Sequence, residues 1–324
     1  MVDHAKPGAN SLADLARGFL QMPSSAFGTP AHLTRRFTIA STGARLAYYV
    51  TGPERGVPIV ISAGLGGGVR AWAPVIAELS RRYRIYAWDY RGLYASGPAP
   101  SGQGYTVREH AADLGALLDH LELCEPVLAG WSMGVQVTLE AFRDHPRRGA
   151  AMIAVHGAPG AILSTAFDSP HFERLSPSIW EAMRRMNDRL EWPLFHLGRS
   201  RRVARTFVRV CRQFDIMSDG LEPESFRDMA RDWVKLDLAT YAEIFERLGE
   251  HDATALLPQI DVPALVIGGE KDRFTPLHRS EELVRGLPRS ELHVVADATH
   301  FGLLEYPDNV AARIARFIEE RVGR

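Results

Sequence analysis

Three side chains in this 324-residue sequence have the types and the order that nucleophilic acyl chemistry needs: Ser132, Asp272 and His300. A serine hydroxyl attacks well only when a base takes its proton and a third group orients that base. Ser132 is the centre of Gly130-Trp131-Ser132-Met133-Gly134. At average glycine and serine usage such a pentapeptide arises by chance in on the order of one chain in ten of this length. Its surroundings therefore decide. An apolar run, Val127 to Gly130, precedes it, and a helix-compatible segment from Val135 to His145 follows. Strand, tight turn and helix would put Ser132 on a strained elbow with its hydroxyl raised above the sheet edge. Gly130 and Gly134 would lack side chains because strand and helix approach closely there.

The elements that must position these residues follow a regular rhythm. Phe37 to Ala40 and Leu46 to Val50 read as a hairpin with Gly43 in its turn. Pro58 to Ala63 is a continuous apolar run, as in a strand buried on both faces. Helical spacing over Val69 to Arg82, a strand at Arg84 to Asp89, a helix at Thr106 to Leu123, the elbow, and a strand at Ala150 to Val155 complete the first series. Residues 158–258 contain no strand run. Helical segments are expected there at Pro177 to Leu190, Arg199 to Phe214, Pro223 to Val234 and Leu238 to Leu248. The alternation resumes with a strand at Ala264 to Gly268, a helix at Pro276 to Leu287, a strand at Glu291 to Val295 and a helix at Pro307 to Val322. This pattern predicts an α/β fold with a mostly parallel central sheet flanked by helices and interrupted by an all-helical insertion. The expected division is an appendage at 1–35, a core at 36–157 and 259–324, and a helical cap or lid at 158–258.

Asp272 and His300 each fall just after a strand, so both are expected at the sheet edge that carries Ser132. The order Ser, acid, His is the one a serine elbow in such a sheet requires. Asp297 is a competing acid, and Asp89 is expected to hold the Arg91 loop together. His156, following Val155, also reaches this edge and reads as a cap-lining or hydrogen-bonding residue.

Over about residues 36–324 the chain resembles the α/β-hydrolase superfamily. The matching features are the Gly-Trp-Ser-Met-Gly elbow, Gly269 to Pro276, Thr299-His300-Phe301 with Glu305-Tyr306-Pro307, and Asp89-Tyr90-Arg91-Gly92 with Ser96-Gly97. The resemblance implies a serine hydrolase of esterase or lipase type, with Ser132 as nucleophile, His300 as base and Asp272 as orienting acid. Epoxide hydrolases and haloalkane dehalogenases of this fold carry aspartate at the elbow, which argues against both. Tyr94 stands where relatives often have a second glycine and is expected to crowd or reshape its loop. Relatives commonly have His-Gly after the third strand, where this chain has Ala63-Gly64-Leu65-Gly66-Gly67-Gly68. By the same resemblance the oxyanion donors are the backbone N–H groups of Met133 and Leu65, and no metal or organic cofactor is implied. Acyl transfer to an acceptor other than water would use the same three residues. A non-catalytic ligand-binding protein on this fold is the remaining alternative.

Composition bounds the partners. Hydrophobic residues make up 46% and charged residues 24%, with a formal net charge of −1, so no global field attracts nucleic acid. Cys124 and Cys211 show no metal or redox spacing and read as buried free thiols suited to the cytoplasm. No run of 18 or more apolar residues appears, so no transmembrane segment is expected. The expected partner is a small ester or lipid-like substrate. Peripheral membrane contact is conceivable through a short helix at Ser11 to Leu20, or through Arg199 to Phe214. In that second segment Val203, Phe207, Val210, Cys211 and Phe214 form an apolar stripe, and Arg201, Arg202, Arg205, Arg209 and Arg212 cover much of the rest.

Overall fold

The computed structural model describes residues 30, 32–143, 148–160, 162, 178, 181, 201–213, 216–233 and 235–323. The expected helix at Ser11 to Leu20 and most of the segment at Pro177 to Leu190 lie outside these residues, as do Trp180, Trp192, Phe195 and Phe214.

The chain opens with an antiparallel hairpin, β1 (Thr34–Ile39) and β2 (Arg45–Thr51), turned at Gly43 with φ +86°. Then come β3 (Pro58–Ser62), α1 (Gly68–Leu79), β4 (Arg84–Trp88), α2 (Val107–His120), β5 (Val127–Trp131), α3 (Met133–Ala141) and β6 (Ala151–Val155). The described part of the insertion holds α4 (Arg201–Gln213), α5 (Pro223–Trp233) and α6 (Leu238–Glu250), followed by a 3-10 turn at Thr254–Gln259. The core closes with β7 (Ala264–Gly269), α7 (Leu277–Gly286), β8 (Ser290–Val295), α8 (Gly302–Glu305) and α9 (Pro307–Arg321).

These strands form one eight-stranded sheet in the order β1-β2-β4-β3-β5-β6-β7-β8. Pairing is antiparallel from β1 to β2 and from β2 to β4, and parallel from β4 onward. Every residue of β5, β6 and β7 is buried, as the apolar runs require of strands covered on both faces. Two apolar clusters, one on each face of the sheet, complete the core; Trp72, Ile76 and Phe317 lie in one, Leu114, Leu117 and Leu139 in the other.

Several details depart from the sequence reading. β1 begins at Thr34, two residues before the expected core boundary. Cys211 is buried as expected, but Cys124 is exposed, because it lies in the turn between α2 and β5 and not on the packed face of the helix. In α4 the packed side is Val208 and Cys211, whereas Val203, Phe207 and Val210 are about 40% exposed. The stripe drawn from sequence thus joined two different sides of the helix. Within the described insertion the backbone makes one isolated bridge, Gly160 to Asp252, and no strand.

The loop after β4 is pinned from two directions. Arg91 makes a buried bidentate pair with Asp113 of α2, at 2.6 and 2.7 Å, and donates to Gln103 at 2.6 Å. Asp89 accepts from Tyr49 Oη at 2.7 Å and from Ala95 N at 3.1 Å, and its carbonyl accepts from Ser96 Oγ. Asp89 therefore does hold the Arg91 loop, but Asp113 holds Arg91 itself. Tyr94 adopts φ +49°, a left-handed backbone that glycine takes more readily, and its ring crowds the neighbouring loop, where a Cβ on Gly68 would lie 2.9 Å from it. At the end of α6, His251 spans Gln136 and Glu140 of α3 at 2.6 and 2.7 Å, tying the insertion to the helix behind Ser132. Among the described residues no helix is long and apolar enough to cross a membrane.

Candidate active site

The elbow is built by close approach. Ser132 has φ +54° and ψ −119°, a conformation that costs a non-glycine residue about 1–3 kcal/mol. Its N–H donates to Val155 O at 3.1 Å and its carbonyl accepts from Val135 N at 3.0 Å, so both neighbouring elements enforce it. A Cβ on Gly130 would lie 2.3 Å from Gly134 O, and one on Gly134 would lie 2.0 Å from Ser62 O. Both glycines are therefore required by contact between backbones.

The structure brings Ser132, His300 and Asp272 into one line. Ser132 Oγ is 2.9 Å from His300 Nε2, and His300 Nδ1 is 2.9 Å from Asp272 Oδ2 and 3.2 Å from Oδ1. These distances belong to residues from three loops at the carboxyl ends of β5, β7 and β8. Asp297 lies elsewhere: its carboxylate pairs with Lys271 at 2.6 Å on the surface. Met133 is the first residue of α3, so its N–H is among those a helix leaves without an intrahelical acceptor. Leu65 is half-buried in the loop after β3. That loop lies against Trp131: a Cβ on Gly64 or Gly67 would come within 2.6 or 2.3 Å of the indole. Gly64 and Gly67 thus serve close packing beside Ser132.

Asp272 is almost wholly buried, at 4% exposure, yet it is surrounded by donors. Phe274 N and Thr275 N each donate to Oδ1 at 2.9 Å, and Thr275 Oγ1 donates to Oδ2 at 2.8 Å. Burial works to raise this carboxyl, but the facing His300, its hydrogen bond, and His156 close by more than reverse it and hold it well below the usual carboxylate range. Around His300, Trp131 Nε1 donates to the His300 carbonyl at 3.1 Å, and Phe274 stands 5.2 Å away between ring centroids. Glu305 binds Thr299 through N–H at 2.8 Å and hydroxyl at 2.7 Å, and also accepts from Ser218 N of the insertion at 2.7 Å.

Sequence reasoning did not single out Thr275, Trp131 or Glu305 for these contacts. Thr275 had a readable signal, because an aspartate followed three residues later by threonine is a self-capping turn. The Thr299–Glu305 pair lay within a motif already matched, whereas the indole bond and the contact from Ser218 to Glu305 depend on folding and had none.

A serine elbow on an eight-stranded, mostly parallel sheet, with an imidazole and a carboxylate in line, defines a hydrolase of the α/β class. The chain belongs to the alpha/beta hydrolase fold family, whose model matches residues 57–307. It is 28% identical to the AB hydrolase superfamily protein YisY of Bacillus subtilis over 284 residues, covering 85% of this chain and 97% of that one. It is 24% identical to 3-oxoadipate enol-lactonase 1 of Acinetobacter baylyi over 278 residues, covering 86% and 94%. Among solved structures, a thermophilic esterase from Thermogutta terrifontis has the same fold, with TM-score 0.69, 24% identity and coverage of 89% of this chain and 98% of that chain.

Proposed function

We propose that this hydrolase cleaves carboxylic esters through an acyl-enzyme on Ser132. The observation that carries the reading is the unbroken contact from Ser132 Oγ through His300 to Asp272. Ser132 attacks the acyl carbonyl while His300 Nε2 takes its proton and returns it to the leaving alkoxide. Asp272 accepts from Nδ1–H, which keeps Nε2 bare and aimed at the hydroxyl. The N–H groups of Met133 and Leu65 receive the oxyanion, a contribution typically worth about 3–4 kcal/mol per donor. Water attacks the acyl-enzyme in the second half, activated by the same imidazole.

Residues 158–258 act as a cap in this reading. Its described helices reach the oxyanion loop: a Cβ on Gly66 would come within 3.1 Å of Tyr241 Oη and 3.2 Å of Trp233. Aromatic side chains at that approach favour an apolar acyl or alkyl group. The enol-lactonase relative is in keeping with ester chemistry, since a lactone is a cyclic ester.

The test is a panel of p-nitrophenyl esters of increasing acyl length, run on the wild type and Ser132→Ala. Turnover with a defined chain-length optimum, abolished in the variant, is the expected result. Labelling of the wild type by a fluorophosphonate should fall on Ser132. Folded protein that neither labels nor loses turnover on substitution would sink the reading.

A further inference from the structure

A second imidazole stands on Asp272. His156 follows β6 directly, is 0% exposed, and places Nδ1 3.4 Å from Asp272 Oδ2. Its ring lies 6.3 Å from that of His300, edge-on. Three features of the fold make room for it. His156 has φ +44°, a left-handed conformation that few side chains accept. A Cβ on Gly302 would sit 2.2 Å from His156 Nε2, and one on Gly269 would sit 2.9 Å from its Cε1. His156 N also donates to Ile267 O at 2.8 Å, fixing where the side chain leaves the sheet. A strained backbone and two excluded Cβ atoms together hold one ring against one carboxylate.

We propose that His156 is a positioning residue, whose Nδ1–H faces Asp272 Oδ2 and, with Thr275, fixes the rotation of the carboxylate toward His300. This rests on the ester-hydrolase reading of Ser132. At 3.4 Å the contact is long for a hydrogen bond and acts mainly as a charge–dipole attraction. Nitrogen facing a carboxylate oxygen must carry its hydrogen. Neither ring nitrogen has a full hydrogen bond among the described residues; Nδ1 faces the carboxylate, and Nε2 points at the space a Gly302 side chain would fill. Asp272 Oδ2 then lies between Thr275 Oγ1, His300 Nδ1 and His156 Nδ1, which leaves the carboxylate one orientation. Of the charged groups near this pair, Glu305 binds Thr299, Glu270 accepts from Asp297 N, and Lys271 pairs with Asp297 at the surface.

The tautomer can be read on the whole wild-type protein by long-range proton–nitrogen NMR of histidine-labelled chain. Hydrogen on His156 Nδ1 is expected; hydrogen on Nε2 with bare Nδ1 would overturn the proposal without reference to activity. Kinetics then supplies the functional arm, with His156→Leu, which keeps bulk without a donor, and His156→Asn, which restores an N–H near Nδ1 and tolerates positive φ. His156→Leu should lower kcat about tenfold, leave KM within about twofold, and move the acid limb of the kcat/KM profile up by about half a pH unit. The limb moves up because the carboxylate then has one donor fewer to share its charge. His156→Asn should recover most of kcat and return the limb. A folded Leu variant with unchanged kcat and limb, or an Asn variant no better than Leu, would reduce His156 to packing and overturn the proposal. Turnover that survives Ser132→Ala would remove the hydrolytic reading and this inference with it, whereas loss of turnover there with silent His156 variants removes the inference alone.

Discussion

Asp89 and Asp272 make an informative pair. Both are buried aspartates on loops at the carboxyl ends of parallel strands, β4 and β7, in the same sheet. Their surroundings drive them in opposite directions. Asp272 receives Phe274 N, Thr275 N, Thr275 Oγ1 and His300 Nδ1, and is held ionised. Asp89 has two donors, Tyr49 and Ala95, both on Oδ2, and its Oδ1 is buried without a hydrogen-bond partner. Burial pushes Asp89 up to about 7, and the bonds from Tyr49 and Ala95 only partly oppose this. Burial alone does not decide whether a carboxylate stays ionised; the imidazoles facing it and the donors aimed at it do.

Removing the proposed nucleophile sets the scale against which the pair is measured. Ser132→Ala should lower kcat by about 10⁴-fold to 10⁶-fold with folding intact, measured as ester turnover. Asp272→Asn should lower kcat by about 10⁴-fold, because an amide at this position can hold His300 in the wrong tautomer. Asp89→Asn should leave kcat within about threefold, since Asp89 supports a loop and contacts neither Ser132 nor His300. A comparable collapse in both aspartate variants would break the contrast.

Stability against pH separates the two groups by sign. Asp89 is raised in the folded protein from 3.8 to about 7, so the native state binds the extra proton between these values. Its contribution is fully present below about 3.8 and is lost as pH rises through about 7, an upper bound of roughly 4 kcal/mol. Asp272 is depressed, so its contribution is present above the ordinary carboxylate value of 3.8 and is lost as pH falls below it. Urea unfolding of wild type and Asp89→Asn at a series of pH values should show the decline between about pH 4 and 7 flattened in the variant. A parallel pair of curves would contradict the assignment.

The smallest expected effect tests the donor count directly. Tyr49→Phe removes one of the two donors on Asp89 and should destabilise the fold by about 1 kcal/mol at neutral pH, read as a shift in the urea midpoint. Thr275→Val, which deletes one donor among several on Asp272, should lower kcat by only about threefold to tenfold. If Thr275→Val were as damaging as Asp272→Asn, the donors would not be sharing the task.

Much of the fold was legible because buried parallel strands read as apolar runs, and β3, β5, β6 and β7 stand within a residue or two of their expected bounds. Ser132, Asp272 and His300 were legible for a related reason, since each follows a strand and the topology carries all three to one edge. The exposed Cys124, the rotated packing face of α4 and the partner of Arg91 were not, because each depends on how an element is turned against a neighbour distant in sequence. The sequence by itself determined the elbow and the order of its partners, through local periodicity and glycine placement. Only the tertiary structure decided that His156 stands on Asp272 while Asp89 lacks such company, because donors converge on a buried carboxylate only when separate loops are folded onto it.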